Sequence, residues 1–175
     1  MGRPKGALPF RPGVSFLQRG VQLAASERVF VVVGPHNADS VPTGAHSVLN
    51  PSPEAGMFSS VQLGLAAALG AKTSAILLHM VDYPGVAPET VEALWRQPLA
   101  PGEWVFPIFG EQPGHPIVLS RQRVEEIVSA PADSRLDQLL DETSGIGVTV
   151  DDPGIVTNVN TPEAFRKMTG MNLLS

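Results

Sequence analysis

The chain of 175 residues is 43% hydrophobic and 17% charged, with a formal net charge of −5, which fits a globular protein and excludes a disordered one. The acidic balance excludes a broad basic footprint for nucleic acid, and the lack of cysteine excludes disulfides, thiolate catalysis and zinc–cysteine sites. No apolar run reaches the length of a membrane span and the amino end lacks a signal-peptide core, so the expectation is one domain over residues 1–175, cytoplasmic and without a membrane partner.

Taken in order, Val14 to Ser26 carries apolar residues at helical spacing, and Arg28 to Val33 is a β-branched run stopped by Gly34-Pro35. That run reads as a strand buried on both faces of a parallel sheet. Ser47-Val48-Leu49 is expected as an outer strand, and Phe58 to Leu69 as a helix closed by Gly70. Ser74 to Val81 is the second strongly apolar strand, followed by Asp82-Tyr83-Pro84-Gly85. Pro88-Glu89-Thr90 opens a helix to about Gln97. Trp104 to Phe109 is a further strand, expected at an edge or irregular because Pro107 lacks an N–H. Helices are expected at Arg121 to Ser129 and Arg135 to Glu142, a strand at Ile146 to Val150, and a turn at Asp152-Pro153-Gly154. A last helix is capped by Thr161, with Pro162 at its first position. Strands and helices alternate, so the fold class is α/β: a three-layer α/β/α sandwich on a Rossmann-like, mainly parallel sheet. In such folds ligands bind beyond the carboxyl ends of the strands, and the residues just after each apolar run are the candidates.

Asp82 directly follows the most apolar strand, where a carboxylate can serve a hard cation such as Mg²⁺. Taken alone it reads as turn chemistry. Asn158 and Asn160 precede the capped helix and can ligate a metal or bond a ribose; taken alone they read as the loop feeding that cap. Asn50 to Val61, with Gly56, Ser59 and Ser60, is a polar approach to a helix. Its N–H groups and hydroxyls can read a base or anion, or a serine can simply cap the helix. His115, in Gly114-His115-Pro116, can meet a phosphate or ring, though an exposed loop histidine is the commoner case. His36, His46 and His79 lack metal-binding spacing, and His79 is expected to pack within its strand. No G-x-x-x-x-G-K-[ST] loop, dinucleotide fingerprint or G-x-S-x-G elbow occurs, which disfavours a dinucleotide-dependent oxidoreductase.

Together these pieces resemble the MobA-like NTP transferases, the family of the molybdenum-cofactor cytidylyl- and guanylyltransferases. Gly2-Arg3-Pro4-Lys5-Gly6-Ala7-Leu8-Pro9-Phe10 resembles the end of the family signature L-A-A-G-x-S-x-R-M-G-x-P-K-x-L-L-P-F. Leu49-Asn50-Pro51, with Glu54-Ala55-Gly56-Met57-Phe58-Ser59-Ser60-Val61, resembles its base-recognition segment. Met80-Val81-Asp82-Tyr83-Pro84 resembles its P-x-D-x-P metal loop, and Gly114-His115-Pro116 and Asn158 to Glu163 its two late motifs.

The resemblance implies a nucleotide-diphospho-sugar transferase type of fold. It implies transfer of a nucleoside monophosphate, CMP favoured and GMP possible, from CTP or GTP to a phosphorylated small-molecule acceptor such as molybdopterin cofactor, with Mg²⁺ and release of pyrophosphate. By the same resemblance Lys5 and Arg3 neutralise the triphosphate and Asp82, Asn158 and Asn160 hold the metal. Asn50, Gly56, Ser59 and Ser60 hold base and ribose, and His115 lies near the acceptor. Two departures stand out. Asn158 and Asn160 replace an Asp-x-Asp, which removes negative charge. The signature's preceding strand and phosphate loop are not among these residues, so the NTP transferase-like domain is expected to be incomplete at its amino end, with exposed ladder edges. The alternative function is a non-catalytic nucleotide-binding or interaction relative.

Overall fold

Alternation along three strands sorts the core into two faces. The computed structural model describes residues 4–24, 28–37, 40–70, 72–140 and 144–172. Its principal sheet joins β5 (Ala75–Leu78), β6 (Trp104–Phe109), β8 (Ile117–Ser120) and β9 (Ile146–Thr149), with a two-residue strand β7 (Gln112–Pro113) closing a hairpin against β6. β8 runs antiparallel to both β5 and β6, while β9 is parallel to β6. β5, β6 and β9 therefore share one direction, with β8 and β7 reversed.

Successive strand residues point to opposite faces. Ile76, Leu78, Trp104, Phe106, Ile117 and Leu119 pack against α2 (Met57–Ala68) and α4 (Arg121–Ser129). Ala75, Leu77, Val105, Val118 and Val148 turn the other way, toward α1 (Phe16–Ala24) and α3 (Pro88–Trp95). The result is the expected three-layer α/β/α arrangement. A second parallel pair, β3 (Val29–Val33) with β4 (Ala45–Leu49), lies on the amino-terminal side. A short α5 (Leu136–Leu139) and α6 (Pro162–Thr169) complete the described elements.

Two boundaries differ from expectation for clear reasons. α1 starts at Phe16 because Ser15 and Gln18 form a reciprocal cap: Gln18 N donates to Ser15 Oγ at 3.2 Å and Ser15 N to Gln18 Oε1 at 2.7 Å. Val14 instead joins β2 (Val14–Ser15), paired with β1 (Pro9–Arg11). β5 ends at Leu78, so His79, Met80 and Val81 leave the ladder.

Pro107 lies in an interior strand rather than at an edge, and the strand is irregular there, the second of the two expected cases. β6 has β9 on one side and β8 and β7 on the other. The register along that second side breaks between Val105–Val118 and Ile108–Pro113. The missing N–H falls in this break, where Pro107 O still accepts from Gly114 N at 2.9 Å. A bulge is where a strand tolerates proline.

α6 is capped as the sequence predicts. Ala164 N donates to Thr161 Oγ1 at 3.1 Å, and Gly170 ends the helix in the left-handed conformation. No helix among the described residues is long and apolar enough to cross a membrane.

Candidate functional site

The polar candidates are fixed by the apolar residues beside them. Leu8, Phe16, Val159 and Phe165 are all essentially buried and form one cluster, with Val81 packed against it. Lys5 lies three residues before Leu8, Asp82 follows Val81, and Asn158 and Asn160 flank Val159. Burying Val159 turns both asparagines outward, and they are exposed. Val159 N also donates to Asp82 O at 2.8 Å, which ties the two loops together.

On this support Lys5 Nζ sits 3.5 Å from Asp82 Oδ2 and donates to Asn160 Oδ1. Three segments distant in sequence thus meet beyond the carboxyl end of β5. Asn158 is exposed and makes no hydrogen bond to Lys5 or Asp82 among the described residues. Arg3 lies outside the described residues.

The second group follows β4. Asn50 is 2% exposed, and its amide is spent inside the protein. Nδ2 donates to Ser59 Oγ at 3.0 Å and Ser60 Oγ at 2.9 Å, and Oδ1 accepts from Ser52 N at 2.9 Å. The Asn50 side chain therefore positions the two serines. Ser59 Oγ donates in turn to Gly56 O at 2.8 Å. Gly56, at φ 101°, turns the chain into the amino end of α2, in a conformation that favours glycine. Asn50→Ala is expected to lower stability by about 1–3 kcal/mol by leaving these partners unmet; urea unfolding midpoints measure it.

The third group lines a cavity of about 910 Å³ bounded by Tyr83, Trp104, Phe106, His115 and Arg135. Tyr83 and His115 face one another with ring centres 5.2 Å apart. His115 N donates to Ile155 O at 3.0 Å. Burial lowers the His115 pKa despite the opposing influence of Asp82. The ring is thus neutral near pH 7 and serves as an aromatic or hydrogen-bonding surface rather than as a cation for phosphate.

Two close backbone approaches brace this floor. A Cβ on Gly154 would meet Gly85 O at 2.3 Å, and one on Gly114 would meet Ile155 O at 2.3 Å. Asp152 locks the same corner: Oδ2 accepts from Ala87 N at 2.8 Å and Thr90 Oγ1 at 2.7 Å, and Oδ1 accepts from Gly154 N at 2.9 Å. Tyr83, Trp104 and Asp152 were not among the sequence candidates. Tyr83 was absorbed into a turn motif and Asp152 into another, although Tyr-Pro and Asp-Pro turns after β5 and β9, two strands of one sheet that run the same way, hint at a shared rim.

His79 is half-buried just beyond β5, with both ring nitrogens covered and unpartnered. Burial, reinforced by His115 and Arg19 and opposed by Asp82, lowers its pKa from 6.5 to about 4. Below pH 6.5 the unfolded chain binds a proton that the folded protein refuses until about pH 4. Stability is therefore expected to fall across that window by roughly 3 kcal/mol from this group, then level off. His115 acts in the same sense, so His79→Phe should reduce the slope without abolishing it. Urea midpoints taken from pH 7 to pH 4 read this directly, and an unchanged slope refutes it.

The oxygen donors of Asp82 and Asn160 suit a hard divalent cation, and the Lys5 ammonium already lies against both. The set is lean. No group of three or more His, Cys, Asp or Glu side chains placed to hold a metal occurs among the described residues.

The family model described as the MobA-like NTP transferase domain matches residues 1–146. In structure the chain is similar to Rv0371c from Mycobacterium tuberculosis H37Rv in its complex with manganese, at TM-score 0.78 and 21% identity, covering 97% of this chain and 94% of that one. It is similar to a nucleotidyl transferase from Methanothermobacter thermautotrophicus at TM-score 0.77 and 21% identity, covering 95% and 83%. It is also similar to molybdopterin-guanine dinucleotide biosynthesis protein A from Archaeoglobus fulgidus, at TM-score 0.68 and 14% identity, covering 97% and 90%. The curated proteins compared give no sequence match. At these identities the structural likenesses carry the fold.

Proposed function

The chain belongs to the MobA-like NTP transferase domain family, and from that premise we propose that it transfers CMP from CTP to a phosphorylated acceptor of the molybdopterin type. GTP is the second choice of donor. The observation that carries this reading is the meeting of Lys5, Asp82 and Asn160 at the end of β5. It supplies a cation for the triphosphate and oxygen ligands for Mg²⁺ at one point.

In the reaction an acceptor phosphate oxygen forms a bond to the α-phosphorus of the NTP. The bond from that phosphorus to the bridging oxygen breaks, and pyrophosphate leaves with the electron pair. Lys5 offsets charge on the triphosphate, which grows on the leaving oxygens. Asp82, Asn160 and Asn158 are the residues that would hold Mg²⁺, which would supply positive charge to offset that of the phosphates. Arg3 is assigned to the triphosphate with Lys5. Ser59 and Ser60, held by Asn50, face the base and ribose at the amino end of α2. Tyr83 and His115 offer a neutral aromatic wall to the acceptor. The protein's share is positioning, which can supply much of the barrier reduction.

The preference for CTP rests on Glu54-Ala55-Gly56-Met57 together with Gly114-His115-Pro116, whose wording resembles the cytidylyl branch. The Archaeoglobus neighbour, described as acting in molybdopterin-guanine dinucleotide biosynthesis, supports the acceptor class and keeps GTP as the runner-up. Pyrophosphate release, assayed with CTP, GTP and ATP, each with Mg²⁺ and a molybdopterin acceptor, tests the reading. Turnover greatest with CTP is the expected result; folded protein that neither binds nor turns over any of the three contradicts it. A non-catalytic nucleotide-binding role is the second reading. It is favoured by Asn158 and Asn160, which leave Asp82 the sole carboxylate of the proposed metal set.

A further inference from the structure

The Lys5 ammonium stands on the same two side-chain oxygens that are assigned to the divalent cation. Nζ donates to Asn160 Oδ1 and lies 3.5 Å from Asp82 Oδ2. Asp82 carries the only negative charge in the proposed metal set of Asp82, Asn158 and Asn160. One contact thus neutralises the carboxylate and fills the gap between Asp82 and Asn160. Oxygen ligands close on Mg²⁺ to about 2.0–2.1 Å. An ammonium in reach of these oxygens and a divalent ion bound to them bring like charges together. Lys5 and the cation therefore compete for Asp82 Oδ2 and Asn160 Oδ1.

The two loops keep their places without the Lys5 head group. Lys5 O accepts from Leu8 N at 3.0 Å and Pro4 O from Ala7 N at 3.0 Å, around the 3₁₀ turn Lys5–Ala7. Leu8 anchors that turn in the buried cluster with Phe16, Val159 and Phe165. The Asp82 loop is tied separately, by the bond from Val159 N to Asp82 O at 2.8 Å. The Lys5 side chain is 41% exposed and ends a flexible four-carbon stem. An ion pair this open is weakly held. A triphosphate offers the ammonium several charged oxygens and the stronger charge-assisted bonds that go with them.

We propose that Lys5 is a latch on the metal site: it blocks the cation until a polyphosphate takes up its ammonium, and nucleotide binding thereby unmasks Asp82 and Asn160. This rests on the reading that Lys5 meets the triphosphate while Asp82 and Asn160 meet the metal, and it adds an order to them. Phosphate engages Lys5 first, and the cation settles on Asp82 second. The latch keeps a bare cation off the site. It also couples the two ligands, so that each raises the affinity of the other.

The test uses the full chain without nucleotide and Mn²⁺ alone as the probe, its free fraction read by electron paramagnetic resonance. Lys5→Met removes the charge and keeps most of the stem. It is expected to bind Mn²⁺ about tenfold more tightly than the wild type, with unchanged near-ultraviolet circular dichroism. Lys5→Arg, which keeps a cation, should show no such gain, and adding Asp82→Asn to Lys5→Met should abolish it. CTP binding in EDTA, followed by calorimetry, should move the opposite way and weaken about tenfold in Lys5→Met. A residue that merely supports the fold would move both affinities together. Asp82-dependent Mn²⁺ binding that is equal in the wild type and Lys5→Met overturns the latch and leaves the metal assignment standing. A gain shared by Lys5→Arg, or CTP affinity untouched by Lys5→Met, overturns the latch too. Mn²⁺ binding insensitive to Asp82, or absent from both proteins, overturns the latch and the metal assignment together.

Discussion

Asp82→Ala is expected to lower nucleotidyl transfer by about a hundredfold or more, with the thermal midpoint moved by no more than about 2 °C. The separation of these two readouts follows from the geometry. The Lys5–Asp82 pair is 3.5 Å apart and partly exposed, at 41% and 22%. Ion pairs of that kind contribute about 0–1 kcal/mol to folding. The backbone anchor from Val159 N to Asp82 O survives the substitution. What is lost is the sole carboxylate of the proposed metal set. Asp82→Asn should retain an oxygen ligand and fall between the two, and extra metal should partly restore it. Lys5→Ala should lower kcat and raise KM for the nucleotide, because it meets the triphosphate in both ground and transition states. Steady-state pyrophosphate release beside differential scanning calorimetry checks the set. Parallel loss of activity and midpoint would assign Asp82 to structure alone.

Asp152→Ala is expected to destabilise the fold by about 3–5 kcal/mol. For a chain of this size that corresponds to a drop in midpoint of roughly 10 °C. Asp152 is 7% exposed and accepts three hydrogen bonds, from Ala87 N, Thr90 Oγ1 and Gly154 N. Alanine leaves three donors unmet in a buried corner. Thr90→Val removes only one of the bonds, so a loss nearer about 1 kcal/mol is expected. The same corner holds Ile155, whose carbonyl accepts from His115 N. Asp152→Ala should therefore also raise KM for the acceptor more than for the nucleotide. A loss below about 1 kcal/mol by urea titration would refute the bracing role.

The sequence carried the layers well because the signals were local. Val29 to Val33 and Ala75 to Leu78 are apolar runs with few other readings, and Thr161-Pro162-Glu163 announces a helix start by chemistry alone. Pro107 left two cases open, an edge or an irregular strand, because its meaning depends on a partner strand: it is tolerated inside β6 through the register break opposite Gly114, His115 and Pro116. The helix boundary at Phe16 was written locally, as Ser15 and Gln18, but the apolar count starting at Val14 outweighed it.

The site was legible only through family resemblance. Lys5 and Asn160 stand 155 positions apart, and neither periodicity nor spacing brings them together. The link is the buried cluster of Leu8, Phe16, Val159 and Phe165, whose members looked like ordinary apolar residues in separate segments. Asn50 shows the opposite limit. Its place in the motif was readable, yet the sequence could not reveal that its amide is consumed by Ser59, Ser60 and Ser52.

The central claim is that the triphosphate and its metal sit at the end of β5, between Lys5, Asp82 and Asn160. Paramagnetic line broadening of the amide spectrum by Mn²⁺ with CTP tests it most directly, since the effect falls steeply with distance from the ion. The account predicts that the amides of Gly6, Val81 to Tyr83 and Asn158 to Asn160 broaden first, and that Asp82→Ala abolishes the pattern. Broadening centred on other segments, or unaffected by Asp82→Ala, would contradict it.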